Sequence, residues 1–97
     1  MAYATVSTWK SNIAIEDEDA MWRVIQDKYV PASQALGATQ VMWLSTGDGE
    51  LAILSFYPDE ATCNAADEKR QALRAQGSSE FDATMTSELR GEVKASS

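Results

Sequence analysis

Histidine is absent from this chain, so any acid–base step falls to carboxylates, tyrosine, lysine or water. The residues best suited to hold a small molecule are aromatic. Trp22, Tyr29, Trp43 and Tyr57 are expected to line an apolar pocket between helices and a sheet, and a planar aromatic compound is the ligand that suits them. Packing within a core or against a second subunit is the competing use of the same rings. Tyr57 lies at the end of a strand pattern, from which its hydroxyl can reach a ligand. Asn64 can orient a ligand carbonyl from a helix, against the simpler reading of a solvated helical asparagine.

Three other groupings carry less. Glu16, Asp17, Glu18 and Asp19 are consecutive and diverge around a helix; the spacing and glycine of a calcium loop are missing. Gly47-Asp48-Gly49 is too short to cradle a phosphate and reads as a turn. Cys63 is the only cysteine, which rules out an internal disulfide and fits a reducing, cytoplasmic location. Its neighbours Asp59, Glu60, Asp67 and Glu68 disfavour a thiolate, so it reads as a packing residue. The sequence shows no metal or nucleotide motif, and the expectation is no cofactor.

The elements that must position these residues follow from local pattern. Residues 2–10 are β-branched and aromatic and read as a first strand. Glu16 to Asp19 open a helix, with Asp17 as its expected N-cap. Apolar residues at helical spacing, including Met21, Trp22, Ile25, Tyr29, Ala32 and Leu36, carry that helix to Leu36, and Gly37 ends it. Pro31 must kink or divide it near Val30. Residues 39–46 and 50–57 form an antiparallel hairpin around the glycine turn. Pro58 stops the third strand, and Asp59 caps a helix expected to reach Gln76, with Gly77 past its end. Phe81 and Met85 suggest one further helical turn, and residues 86–94 read as a fourth, edge strand.

The order βαββαβ implies an α+β, ferredoxin-like protomer: a four-stranded antiparallel sheet, both helices on one face, strand order 4-1-3-2, residues 1–97 forming a single domain. Helices on one face leave the other bare, yet strands two and three are apolar on both. Val41 and Trp43 point opposite to Met42 and Leu44; Leu51, Ile53 and Tyr57 point opposite to Ala52, Leu54 and Phe56. Burying one such side chain is worth about 1.5–3 kcal/mol, so the uncovered face is expected to meet a second copy in a homodimer.

Charge narrows the partners further. The formal net charge is −7, and the eight Lys and Arg residues are scattered, with Lys69-Arg70 the only adjacent pair. Nucleic acid needs a concentrated basic surface, and anionic membranes repel an acidic one, so neither is expected as a partner. A small aromatic ligand is.

With these elements in place the chain resembles the antibiotic biosynthesis monooxygenase-like group of the dimeric α/β-barrel superfamily. Three places carry the resemblance. One is the helix from Trp22 to Pro31 ending at Leu36-Gly37; the others are the Gly47-Asp48-Gly49 hairpin and the passage Tyr57-Pro58-Asp59-Glu60-Ala61 from strand to helix. The resemblance implies a dimeric α/β barrel and admits a cofactor-independent oxygenase, whose phenol or enol substrate itself supplies the electrons for oxygen. Two departures matter. Tyr57 stands where many members carry tryptophan, and no histidine occurs near Asn64 to Ala66, where haem-degrading relatives need one. Two functions of different class therefore stand side by side: a cofactor-independent monooxygenase acting on an aromatic or polyketide-like compound, and a non-catalytic dimeric ligand-binding or accessory module.

Overall fold

The computed structural model describes the backbone of residues 1–97 and every side chain except that of Ile15. The chain runs β1 (Tyr3–Ser11), a short 3-10 turn, α1 (Glu18–Val24), a π-helical segment (Ile25–Tyr29) and α2 (Val30–Ala35). It continues through β2 (Gln40–Gly47), β3 (Glu50–Tyr57), α3 (Glu60–Ala65), α4 (Asp67–Phe81) and β4 (Ala83–Glu92). The four strands form one antiparallel sheet in the order β2-β3-β1-β4, the expected order, with β4 at an edge as expected.

The first helical stretch shows what Pro31 does. Proline has no N–H, so one carbonyl in the preceding turn loses its partner. The chain responds by widening just before it: the Val30 N–H bonds to the carbonyl of Ile25, five residues back. The expected division near Val30 is therefore a π turn. Asp17 flanks α1 but makes no side-chain cap. Asp59 does cap α3, its carboxylate accepting from the Thr62 N–H at 2.7 Å.

The last third of the chain departs most from expectation. The helix does not stop at Gln76. It runs on to Phe81 with Gly77 buried inside it, because a side chain there would press on Tyr29; a Cβ on Gly77 would lie 3.4 Å from the Tyr29 ring. Gly77 thus allows close helix approach and is not a terminator. A single left-handed residue, Asp82 at φ 47°, then turns the chain directly into β4, which begins at Ala83 and takes in Met85. Phe81 and Met85 do not share a helix. The turn is tied to the end of β1: Ser11 Oγ donates to the Phe81 carbonyl at 2.6 Å, and the Asn12 N–H to the Asp82 carbonyl at 3.1 Å.

Register assigns each strand residue to a face. One row, Met42–Leu54–Val6–Leu89, crosses all four strands on the bare side. The neighbouring rows Val41–Ser55–Thr5–Arg90 and Trp43–Ile53–Ser7–Glu88 face the helices. Beneath the helices the apolar interior forms two clusters. The larger gathers Trp9, Met21, Ile25, Tyr29, Leu51, Phe81 and Ala83, and the smaller Ala38, Tyr57, Cys63 and Ala66. No helix among the described residues is long and apolar enough to cross a membrane.

Candidate functional site

A cleft opens between the helix-facing side of the sheet and the helices, drawing its walls from both clusters. Its cavity volume is about 60 Å³. The sheet supplies Thr5, Ser7 and Trp9 from β1, Trp43 from β2, and Leu51, Ile53, Ser55 and Tyr57 from β3. The opposite wall is one face of α4: Arg70, Leu73, Arg74, Gly77, Ser78 and Phe81 recur at the three- and four-residue spacing of a helix stripe. Tyr29, Ser33 and Leu36 close the side.

The aromatic wall is built by mutual packing. The Tyr29 ring lies 6.1 Å from that of Trp43 and 5.3 Å from that of Phe81, both tilted, the arrangement aromatic quadrupoles favour. The Tyr29 hydroxyl donates to Glu80 Oε1 at 2.6 Å, and Lys28 Nζ reaches the same oxygen at 3.0 Å. Burial first, and the Glu80 carboxylate second, push the Tyr29 phenol well above its ordinary range, so it stays a proton donor. The same two contacts hold the Glu80 carboxyl below its usual range. Trp9 is satisfied, its Nε1–H donating to Ser7 Oγ at 2.8 Å. Trp43 is not: its Nε1 is buried and has no partner among the described residues.

The polar end of the cleft is Tyr57 and Arg70, both buried. Arg70 Nε donates to the Tyr57 hydroxyl at 3.3 Å, and the guanidinium lies 5.1 Å from the Tyr57 ring centroid. Nη2 donates to the Cys63 carbonyl at 2.8 Å and to its sulfur at 3.3 Å, while Nη1 pairs with Asp67. The Tyr57 oxygen is thus held as an acceptor, which leaves its O–H to donate to something else. Burial works against the Arg70 charge, but Tyr57, Cys63 and Asp67 outweigh it and raise its pKa. Asp67 continues to Arg90, and Arg90 and Arg74 both meet Glu88. The Arg90 contact, more than any other, keeps the Asp67 carboxyl below its ordinary value. For Glu88, burial pushes the other way, yet Arg74 and Arg90 win and its pKa is lowered.

Three of the five residues singled out in the sequence meet in this cleft: Tyr29, Trp43 and Tyr57. Trp22 does not join them. It packs beside a separate small groove near Ile13, Met21 and Leu51, because it lies seven residues before Tyr29, toward the other end of the helical stretch. Asn64 is exposed on α3, since the inward positions of that helix belong to Cys63 and to Ala66 just past its end. The sequence reading missed Arg70, Arg74 and the hydroxyls of Thr5, Ser7 and Ser55. Arg70, Leu73 and Arg74 already share a stripe of the helix expected to reach Gln76, and the longer helix adds Gly77 and Phe81 to it. Among the described residues no three acidic or cysteine side chains gather as a metal-ligand set, the run from Glu16 to Asp19 included.

No protein-family model and no curated protein matches the chain. Solved structures do. HapK from Hahella chejuensis superposes with a TM-score of 0.72 at 17% identity, over 98% of this chain and 95% of that one. SnoaB, a cofactor-independent oxygenase from Streptomyces nogalater, gives 0.69 at 10%, over the same shares. A dimeric ferredoxin-like protein from an uncultured marine organism gives 0.67 at 13%, over 99% and 98%. At such identities the likeness is one of fold. That fold is the ferredoxin-like one, a four-stranded antiparallel sheet with helices on one face, as the order of elements in the sequence implied.

Proposed function

From that shared fold we propose that the protein is a homodimeric, cofactor-independent monooxygenase acting on a planar phenol or enol held in the cleft. The observation that carries the proposal is the pairing of an aromatic wall (Tyr29, Trp43, Phe81) with a buried polar end, where Arg70 orients the Tyr57 hydroxyl. A planar ring is held by the wall; the Tyr57 O–H and the Arg70 charge favour an oxygen carrying negative charge, the form in which a phenol or enol gives up electrons to dioxygen. In such a step a ring methylene becomes a carbonyl and the second oxygen atom leaves as water. SnoaB, of the same fold, is a cofactor-independent oxygenase, which supports the reading. The dimer forms through the bare sheet face, whose row Met42–Leu54–Val6–Leu89 is apolar throughout, and two of the similar solved structures are dimeric ferredoxin-like proteins.

One observation favours the second reading, a dimeric binding or accessory module. The enclosed part of the cleft, about 60 Å³, exceeds what a single water needs and is well short of the roughly 150 Å³ that accommodates benzene, so a bound ring extends into the open mouth and is not sealed from water as an oxygenase site would be. An oxygen electrode decides between them. With anthrone- and quinol-type phenols the monooxygenase consumes oxygen above the uncatalysed rate, and Tyr57→Phe slows it. A panel that binds, seen as quenching of tryptophan emission, with no oxygen uptake establishes the binding module.

A further inference from the structure

We propose that the ligand of the cleft is an aromatic anion whose negative oxygens sit at the Arg70–Arg74 end. This rests on the reading of the cleft as an aromatic-ligand site and extends it to the ligand's charge. The chain as a whole is strongly acidic, at −7, yet the described residues lining the cleft include two arginines and no aspartate or glutamate. Arg70 and Arg74 are four apart on α4 and so present their guanidinium groups on one face. Their side chains are only 7% and 11% exposed.

The charge is not cancelled locally. Arg70, Arg74 and Arg90 share two carboxylates, Asp67 and Glu88, which leaves one positive charge in the cluster. Asp67 is 44% exposed, so its field is screened by water more than those of the two arginines. Arg70 is fixed by its protein partners. Of the Arg74 nitrogens only Nη1 meets an acceptor among the described residues, the Glu88 carboxylate. Trp43 adds a buried N–H with no acceptor. Surplus donors and a surplus cation in a site of low polarity call for a ligand that only accepts and carries negative charge. A carboxylate or an ionised enol does both; an amine does neither.

The test is equilibrium binding of three probes with one ring system to the full chain near neutral pH, followed by calorimetry and tryptophan emission. The probes are 2-naphthoate, 2-naphthalenemethanol and the 2-naphthylmethylammonium ion. Naphthoate is expected to bind at least about tenfold more tightly than the alcohol, with the ammonium weakest, and its advantage should shrink as salt is raised. Arg74→Gln should bring naphthoate close to the alcohol, and Arg74→Lys should restore part of the difference. If Arg74→Gln does not fold, the salt dependence and the lysine variant carry the test. Equal affinities for the three probes, or a preference for the ammonium, overturn the anion while leaving the aromatic site intact. Failure of all three to bind removes the aromatic site and this inference together.

Discussion

A single charge at the centre of the bare sheet face should separate the two subunits. Met42, Leu44 and Leu89 are 38%, 45% and 71% exposed, equivalent to about one and a half fully exposed large side chains per protomer, with Val6, Leu54 and Phe56 half-buried around them. Covering the three most exposed is worth roughly 2–4 kcal/mol per protomer, and twice that across a two-fold axis, before the half-buried ones are included. Association itself costs about 4–15 kcal/mol, so the dimer has no large surplus. Leu54 pairs with Val6 on one side and Met42 on the other, in the middle of the face. Leu54→Glu sets two carboxylates near each other across the axis and removes two apolar contacts, a penalty of several kcal/mol. A loss of about 3–4 kcal/mol raises the dissociation constant by roughly 10²–10³. Sedimentation equilibrium at about 10 μM should find the wild type dimeric and Leu54→Glu monomeric, with unchanged far-ultraviolet circular dichroism, because each protomer keeps its own helix-covered core. A wild type that sediments as a monomer, or a Leu54→Glu that stays dimeric, refutes the reasoning.

Three further outcomes follow from the same contacts. Gly49→Ala should cost at least about 2 kcal/mol in denaturant melts, since Gly49 sits at φ 71° and a Cβ there would lie 2.6 Å from the Ser11 carbonyl oxygen. Trp43→Phe should change stability by less than about 1 kcal/mol, because the lost ring area is offset by removing a buried, unpaired donor. Trp9→Phe, which strands the buried Ser7 oxygen, should cost more; equal losses for the two contradict the assignment. Asp67 and Glu88 titrate below their ordinary values of 3.8 and 4.5 when folded, so their pairing stabilises fully above about pH 4.5 and is lost as pH falls through the lowered values. Thermal melts from neutral pH down to about pH 3 should therefore show falling stability, and Arg90→Gln should flatten that fall between about pH 5 and 3. A parallel decline in both proteins excludes the pairing as its cause.

Much of this architecture was legible because it rests on short-range physics. The β-branched and aromatic run of β1, the missing N–H of Pro31 and the carboxylate cap of Asp59 act within one or two turns of chain, and each element appears where its residues imply. Helix α4 was misread for the converse reason. Nothing local distinguishes a terminal glycine from an internal one. Gly77 is internal because Tyr29, far away in sequence, packs against the space its missing side chain leaves. The same misreading cut Gly77 and Phe81 off from the stripe of Arg70, Leu73 and Arg74. Trp22 and Tyr29 both belong to an apolar helical pattern, and only packing on the sheet turned one toward the cleft and the other away.

Residue order alone determined that both faces of strands two and three are apolar, since alternation in an extended chain is a property of the backbone. It also determined the absence of histidine, and with it which acid–base groups are available. Which face the helices cover, and therefore which row is left bare, was decided by the tertiary structure. So was the meeting of Tyr57 with Arg70, because a hydroxyl at the end of a strand and a guanidinium on a helix come within 3.3 Å only when that helix has docked.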